Sequence, residues 1–192
     1  MQRTMPGRAG QGEHGAMGKV FRFRSQSPEQ TRRLGRSLAG TIGEHGVVVA
    51  LEGPLGAGKT VFVKGLAEGL AIDPDCVSSP TFEIACEYVG RAPDGSPRTL
   101  VHADLFRVES SLELEAAGYL DWIAPRRVVA IEWAERFPES LPQEGLWVTL
   151  EAGRTPEERE IVVTARGAGG AELLDRWRAE AAARGEGAKP WV

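Results

Sequence analysis

The pattern of this chain predicts a three-layer α/β fold around a mixed, mostly parallel sheet that contains one hairpin. Three observations carry the prediction. An apolar, partly β-branched block at 47–51 runs into a glycine-rich turn and then into a segment with helical apolar spacing. Further apolar strands recur at 128–133, 146–151 and 160–165, the last two close enough in sequence to be neighbours. Two strand-like runs, 82–89 and 99–103, flank the turn Pro93-Asp94-Gly95-Ser96-Pro97, so part of the sheet is antiparallel.

Taken in order, residues 1–18 are rich in Gly, Arg and Gln without periodicity and read as a disordered leader. Met17 opens the patterned region and is a candidate start of translation, which the intact mass of protein from its native host would decide. Residues 19–24 alternate apolar and basic side chains, the pattern of an edge strand. Ser27-Pro28-Glu29-Gln30 is a helix start, with Ser27 as cap and Gln30 closing the box. Leu34, Leu38 and Ile42 mark the buried face, and Gly43 or Gly46 is the expected stop. The helix after the glycine turn spans 59–70, buries Phe62, Val63, Leu66, Ala67 and Leu70, and is terminated near Asp73-Pro74. Ser110-Ser111-Leu112-Glu113 opens a short helix ending at Gly118, and 171–184 forms an amphipathic helix that docks Leu173, Leu174 and Trp177. A single domain at 19–184 with a flexible tail at 185–192 follows.

Composition narrows the function classes. With 23 basic and 27 acidic residues the net charge is −4, which argues against gripping nucleic acid by phosphate neutralisation alone. No apolar run reaches membrane-spanning length and no hydrophobic signal segment opens the chain, so a cytoplasmic protein is expected. Cys76 and Cys86 lack metal-ligand spacing and read as reduced packing residues rather than as a disulfide.

The chemistry centres on Gly53-Pro54-Leu55-Gly56-Ala57-Gly58-Lys59-Thr60, which fits the phosphate-binding pattern G-x-x-x-x-G-K-[ST] in the strand–turn–helix context that pattern requires. Glycines let successive N–H groups curl around a phosphate, and the first turn of the helix adds unpaired donors and a positive dipole end. Lys59 supplies a charge for the β- and γ-phosphates and Thr60 a hydroxyl for Mg²⁺. The fold is therefore expected to be P-loop NTPase-like. Asp104 and Glu132 each follow an apolar strand, where a metal-holding or water-positioning carboxylate belongs. Their bland alternatives are turn capping for Asp104 and an arginine ion pair for Glu132. Glu135 reads as a solvated charge at a helix start, and His102 as a satisfied core histidine. Thr81 is either a γ-phosphate-sensing switch residue or a local cap in its Ser-Pro-Thr turn.

Four segments together resemble the TsaE family, formerly called YjeE. They are 53–60, Ser79-Pro80-Thr81-Phe82, His102-Ala103-Asp104-Leu105-Phe106-Arg107 and Ile131-Glu132-Trp133-Ala134-Glu135. Phe106 stands where a tyrosine is usual, and Pro54 where an acidic or polar residue is common. The resemblance implies an ATPase that associates with TsaB and TsaD, the pair that forms N6-threonylcarbamoyladenosine at position 37 of tRNA. On that reading Lys59 and Thr60 hold phosphate and Mg²⁺, Asp104 is a metal-site carboxylate, Glu132 serves hydrolysis and Thr81 is switch-like. Contact with tRNA would be indirect, through the partners. A small-molecule kinase or a non-catalytic ATP-dependent switch are the rivals. A GTPase is disfavoured, since the guanine-reading N-K-x-D element is impossible in a chain without asparagine. Arg107 is the candidate arginine finger, and without an effective finger turnover by the isolated protein should be slow.

Overall fold

The computed structural model describes residues 18–80 and 83–185. The proposed leader up to residue 17, the tail from 186 and the pair Thr81 and Phe82 lie outside the described residues. Seven strands form one sheet: β1 (Val20–Ser25), β2 (Val47–Glu52), β3 (Ala85–Arg91), β4 (Pro97–Asp104), β5 (Arg127–Glu132), β6 (Gly145–Ala152) and β7 (Arg159–Arg166). Their spatial order is β1-β7-β6-β2-β5-β4-β3. The four central strands β6, β2, β5 and β4 run parallel, while β7 and β3 are antiparallel to their neighbours. The sheet is thus mixed and largely parallel, with the expected hairpin at β3–β4 and a second at β6–β7.

The near-continuous apolar runs of β2 and β5 are explained by their place. Parallel strands at a sheet centre are covered on both faces. Successive side chains of β2 feed opposite cores: Val49 and Leu51 pack on one side, Val48 and Ala50 on the other. The first core is closed by α1 (Pro28–Ala39), α2 (Lys59–Gly69) and α5 (Gly167–Ala183). The second lies under α3 (Ser111–Ala116) and α4 (Tyr119–Trp122), with Leu114, Tyr119 and Trp122 turned inward. Helix α1 and helix α2 touch backbone to backbone. A Cβ on Gly65 would lie 1.9 Å from the Arg32 carbonyl, and one on Gly35 2.2 Å from that of Phe62. Trp177 of α5 fills the remaining space, its ring 4.9 Å from Phe23 and its Nε1–H donating to Ser37 Oγ at 2.9 Å.

Several boundaries differ from the sequence reading, each for a local reason. Helix α1 stops at Ala39, capped at Gly40, because the Thr41 N–H and hydroxyl both turn back to the Leu38 carbonyl. Ile42 is therefore buried from the loop, and neither Gly43 nor Gly46 ends the helix. Helix α2 ends at Gly69, and Asp73 instead caps a separate 3₁₀ turn at Pro74–Cys76. Strand β3 begins at Ala85 rather than residue 82, after Ile84 takes a left-handed φ of 62°. Trp133 leaves β5 in the same way, at φ 61°. Helix α5 starts at Gly167, not Ala171, because Glu144 accepts hydrogen bonds from the Gly169 and Gly170 amides. Cys76 and Cys86 are free thiols, exposed and half-buried, so neither is a core packing residue. Among the described residues no helix is long and apolar enough to cross a membrane.

Candidate active site

At the carboxyl end of β2 the chain turns through Gly53 at φ 127°, where a side chain is excluded twice over. The angle disfavours one, and a Cβ would sit 2.2 Å from the Leu150 carbonyl of β6. The loop then folds back on itself: the Ala57 N–H donates to the Pro54 carbonyl at 3.1 Å, and Leu55 projects into solvent at the tip. Gly58, left-handed at φ 100°, caps α2, and no side chain closes that first turn. Strand, loop and helix thus take the arrangement that the motif requires.

Lys59 is 4% exposed. Its ammonium donates to the Gly53 and Pro54 carbonyls at 2.5 and 3.0 Å and lies 3.8 Å from the centre of the Trp133 ring. Burial pushes its pKa below the ordinary lysine value, against the opposing pull of Glu132, Glu135 and Asp104. The left-handed Trp133, just past β5, is what brings an aromatic face over the ammonium; Phe106 packs against the same ring at 4.9 Å between ring centres.

Parallel register sets the acids. Glu132 pairs with Leu51 of β2 on one side and Asp104 of β4 on the other, so both carboxylates emerge at the same end of the sheet as the loop. The Thr60 hydroxyl donates to Glu132 Oε1 at 2.7 Å, and His102 Nε2 lies 2.8 Å from the same oxygen. Between an imidazole nitrogen and a carboxylate oxygen the nitrogen carries the proton, so His102 is the Nε2–H donor. Asp104 accepts from the Phe106 amide at 2.9 Å and, through its other oxygen, from the Ser79 hydroxyl. Both acids are about 3% exposed. Loop, Thr60, Ser79, Asp104, Phe106, Glu132 and Trp133 line one cleft of about 420 Å³.

The structure therefore brings together Gly53, Pro54, Leu55, Gly56, Ala57, Gly58, Lys59, Thr60, Asp104 and Glu132. Of the two bland readings, turn capping holds for Asp104 and the arginine ion pair does not hold for Glu132. Glu132 bonds Thr60 and His102 rather than an arginine, and Asp104, although it does accept a turn amide, also binds Ser79 in the cleft wall. Thr81 falls outside the described residues, though Ser79 just before it is anchored on Asp104. Arg107 is exposed and is not among the residues that line the cleft.

Two further residues touch the site while keeping the places read for them: His102, a fully buried core histidine bonded to Glu132, and Glu135, an exposed charge in the first turn of the 3₁₀ helix at Ala134–Arg136, whose carboxylate accepts from the Gly53 amide at 3.4 Å. A signal for His102 was present, since residues two apart on a strand share a face and Asp104 is two residues on. Among the described residues no cluster of three or more His, Cys, Asp or Glu could hold a metal by itself. The available set, one hydroxyl and two carboxylates, is hard oxygen, which suits Mg²⁺ completing its shell with phosphate and water.

By fold and site this is a P-loop NTPase-like α/β protein with two acids presented beside the glycine loop from neighbouring strands. The family model for threonylcarbamoyl adenosine biosynthesis protein TsaE matches residues 25–161. The chain is 39% identical over 149 residues to the tRNA threonylcarbamoyladenosine biosynthesis protein TsaE of Bacillus subtilis, covering 78% of this chain and 88% of that protein. It is 38% identical to the TsaE protein of Treponema pallidum, covering 72% of this chain and 96% of that one. The crystal structure of YdiB from Bacillus subtilis superposes with a TM-score of 0.64 at 33% identity, over 90% of this chain and 100% of that chain. This chain belongs to the TsaE family, proteins of tRNA threonylcarbamoyladenosine biosynthesis.

Proposed function

We propose that this protein binds ATP with Mg²⁺ at the Gly53–Thr60 loop and hydrolyses it, supporting TsaB and TsaD in the modification of adenosine 37 of tRNA. The observation that carries the reading is the Thr60–Glu132 hydrogen bond beside a buried loop lysine. A hydroxyl and a carboxylate so joined are what a P-loop site uses to hold Mg²⁺ against the β- and γ-phosphates. The metal, when bound, neutralises charge that develops on the phosphoryl oxygens. Thr60, Glu132 and Asp104 would hold it, directly or through water.

The remaining work falls to this chain's own groups. The loop amides and α2 bind the phosphates, and Lys59 exchanges the Gly53 and Pro54 carbonyls for phosphate oxygens. Glu132, held by His102, orients the attacking water and accepts its proton. Trp133 shields the ammonium from solvent. Among the described residues no arginine lines the cleft, so turnover by the isolated chain is expected to be slow until partners are added.

A small-molecule kinase usually carries an arginine-bearing lid over its acceptor, and the arginine-bearing stretch 91–98 is a hairpin turn that does not serve as one. The β3–β4 turn lies at the start of β4, at the opposite end of the parallel strands from the loop. ATP turnover by the purified chain, alone and with TsaB, TsaD and tRNA, tests the proposal. Slow turnover raised by the partners is expected. Binding without any turnover, even in the full mixture, would make the protein a switch, and phosphoryl transfer to a metabolite would make it a kinase.

A further inference from the structure

Arg159 opens β7, yet its guanidinium is committed to the glycine loop. Nε donates to the Ala57 carbonyl at 2.9 Å and Nη2 to the Gly56 carbonyl at 3.1 Å. Nη1 donates to the carbonyls of Pro156 and Glu158 at 2.7 and 2.8 Å. One planar fork thus joins the outer rim of the loop to the β6–β7 turn, 102 residues away in sequence. The neighbouring acids are engaged elsewhere: Glu158 and Glu160 both face Arg24, at 3.1 and 3.6 Å.

In a trans peptide the carbonyl and the next amide point in opposite directions. Drawing the Gly56 and Ala57 carbonyls outward therefore turns the following amides the other way, that of Ala57 onto the Pro54 carbonyl 3.1 Å away and that of Gly58 toward the inside of the loop. Gly56 and Gly58 both sit at positive φ, where glycine pays little to rotate out again. No side chain of the loop fixes these two peptide units: the Pro54 carbonyl holds the amide side of the first, and Arg159 holds the carbonyls of both from outside, alone for the second.

We propose that Arg159 is a positioning residue that preorganises the phosphate cradle, acting through the geometry of its fork and not through its charge. This rests on the reading of the loop as an ATP site. Lysine keeps the charge but cannot reproduce a planar two-carbonyl contact, so Arg159→Lys separates the two effects.

The full chain and its Arg159→Lys, Arg159→Gln and Lys59→Ala variants are titrated calorimetrically with Mg-ATP, well below their unfolding temperatures. Amide exchange is followed in the nucleotide-free proteins. Both Arg159 variants should bind roughly tenfold more weakly, with the turnover defect falling mainly on KM, and exchange should quicken at 56–58. Affinity unchanged in both variants overturns the proposal, as does full affinity in Arg159→Lys alone, which would make charge the active term. Faster exchange confined to 157–159 would reduce Arg159 to a staple of the turn and also overturn it. Should the unaltered chain not bind Mg-ATP, or bind it equally well as Lys59→Ala, the ATP reading itself fails, a result distinct from any behaviour of Arg159.

Discussion

Helices α2 and α5 each come next after a strand, α2 across the glycine-rich loop 53–58 and α5 with glycines in its own first turn, but their first turns end differently. At α5 the protein supplies the anion: Glu144 accepts from Gly169 and Gly170 at 2.5 and 3.3 Å. At α2 no side chain caps the turn, and an ammonium and the Thr60–Glu132 pair stand beside it instead. Helices α1 and α3 are closed by Ser27 and Ser110 in the ordinary way. Glycine content alone thus does not make an open helix start. What distinguishes α2 is the company it keeps, a buried cation and acids delivered by neighbouring strands.

Substitutions at four positions break or sharpen that contrast. Glu132→Gln should have the largest effect, lowering ATP turnover about 10²–10⁴-fold while ATP still binds; unchanged turnover in a phosphate-release assay would remove Glu132 from water positioning. Lys59→Ala should weaken ATP binding roughly 10–100-fold by calorimetry. Undiminished affinity would mean that the open end of α2 is not the phosphate site. His102→Ala leaves Glu132 held by Thr60 alone and should slow turnover about tenfold, with partial recovery in His102→Gln, which keeps a donor; equal rates in all three proteins would make the histidine mere filler. Glu144→Ala uncovers the α5 amides and should cost about 1 kcal/mol in denaturant unfolding. It should create no second ATP site, because α5 lacks the flanking cation and acids, and a stoichiometry above one would refute the contrast.

The order of strands and helices was legible because apolar period and glycine punctuation are local signals. Val47 to Leu51 and the spacing of Phe62, Val63 and Leu66 need no partner to be read. Asp104 and Glu132 were legible for a related reason: each ends an apolar strand, and strand ends in such sheets are where sites form. The partnerships were not legible. That His102 and Thr60 meet on one oxygen of Glu132 depends on the register of β4 against β5 and of β5 against β2. Trp133 over Lys59 depends on one left-handed residue, and Glu135 reaching Gly53 on the turn that follows it. The short helix α4 offered only four residues, too few for any periodicity to show.

The contact between Gly35 and Gly65 has a consequence for how the molecule can respond to its ligand. With the Arg32 and Phe62 carbonyls where any Cβ on those glycines would fall, α2 is seated against α1 as a stone against an abutment. A helix so braced neither slides nor tilts without tearing open the larger core. A bound phosphate would therefore meet a first turn of α2 that is already held in place before it arrives.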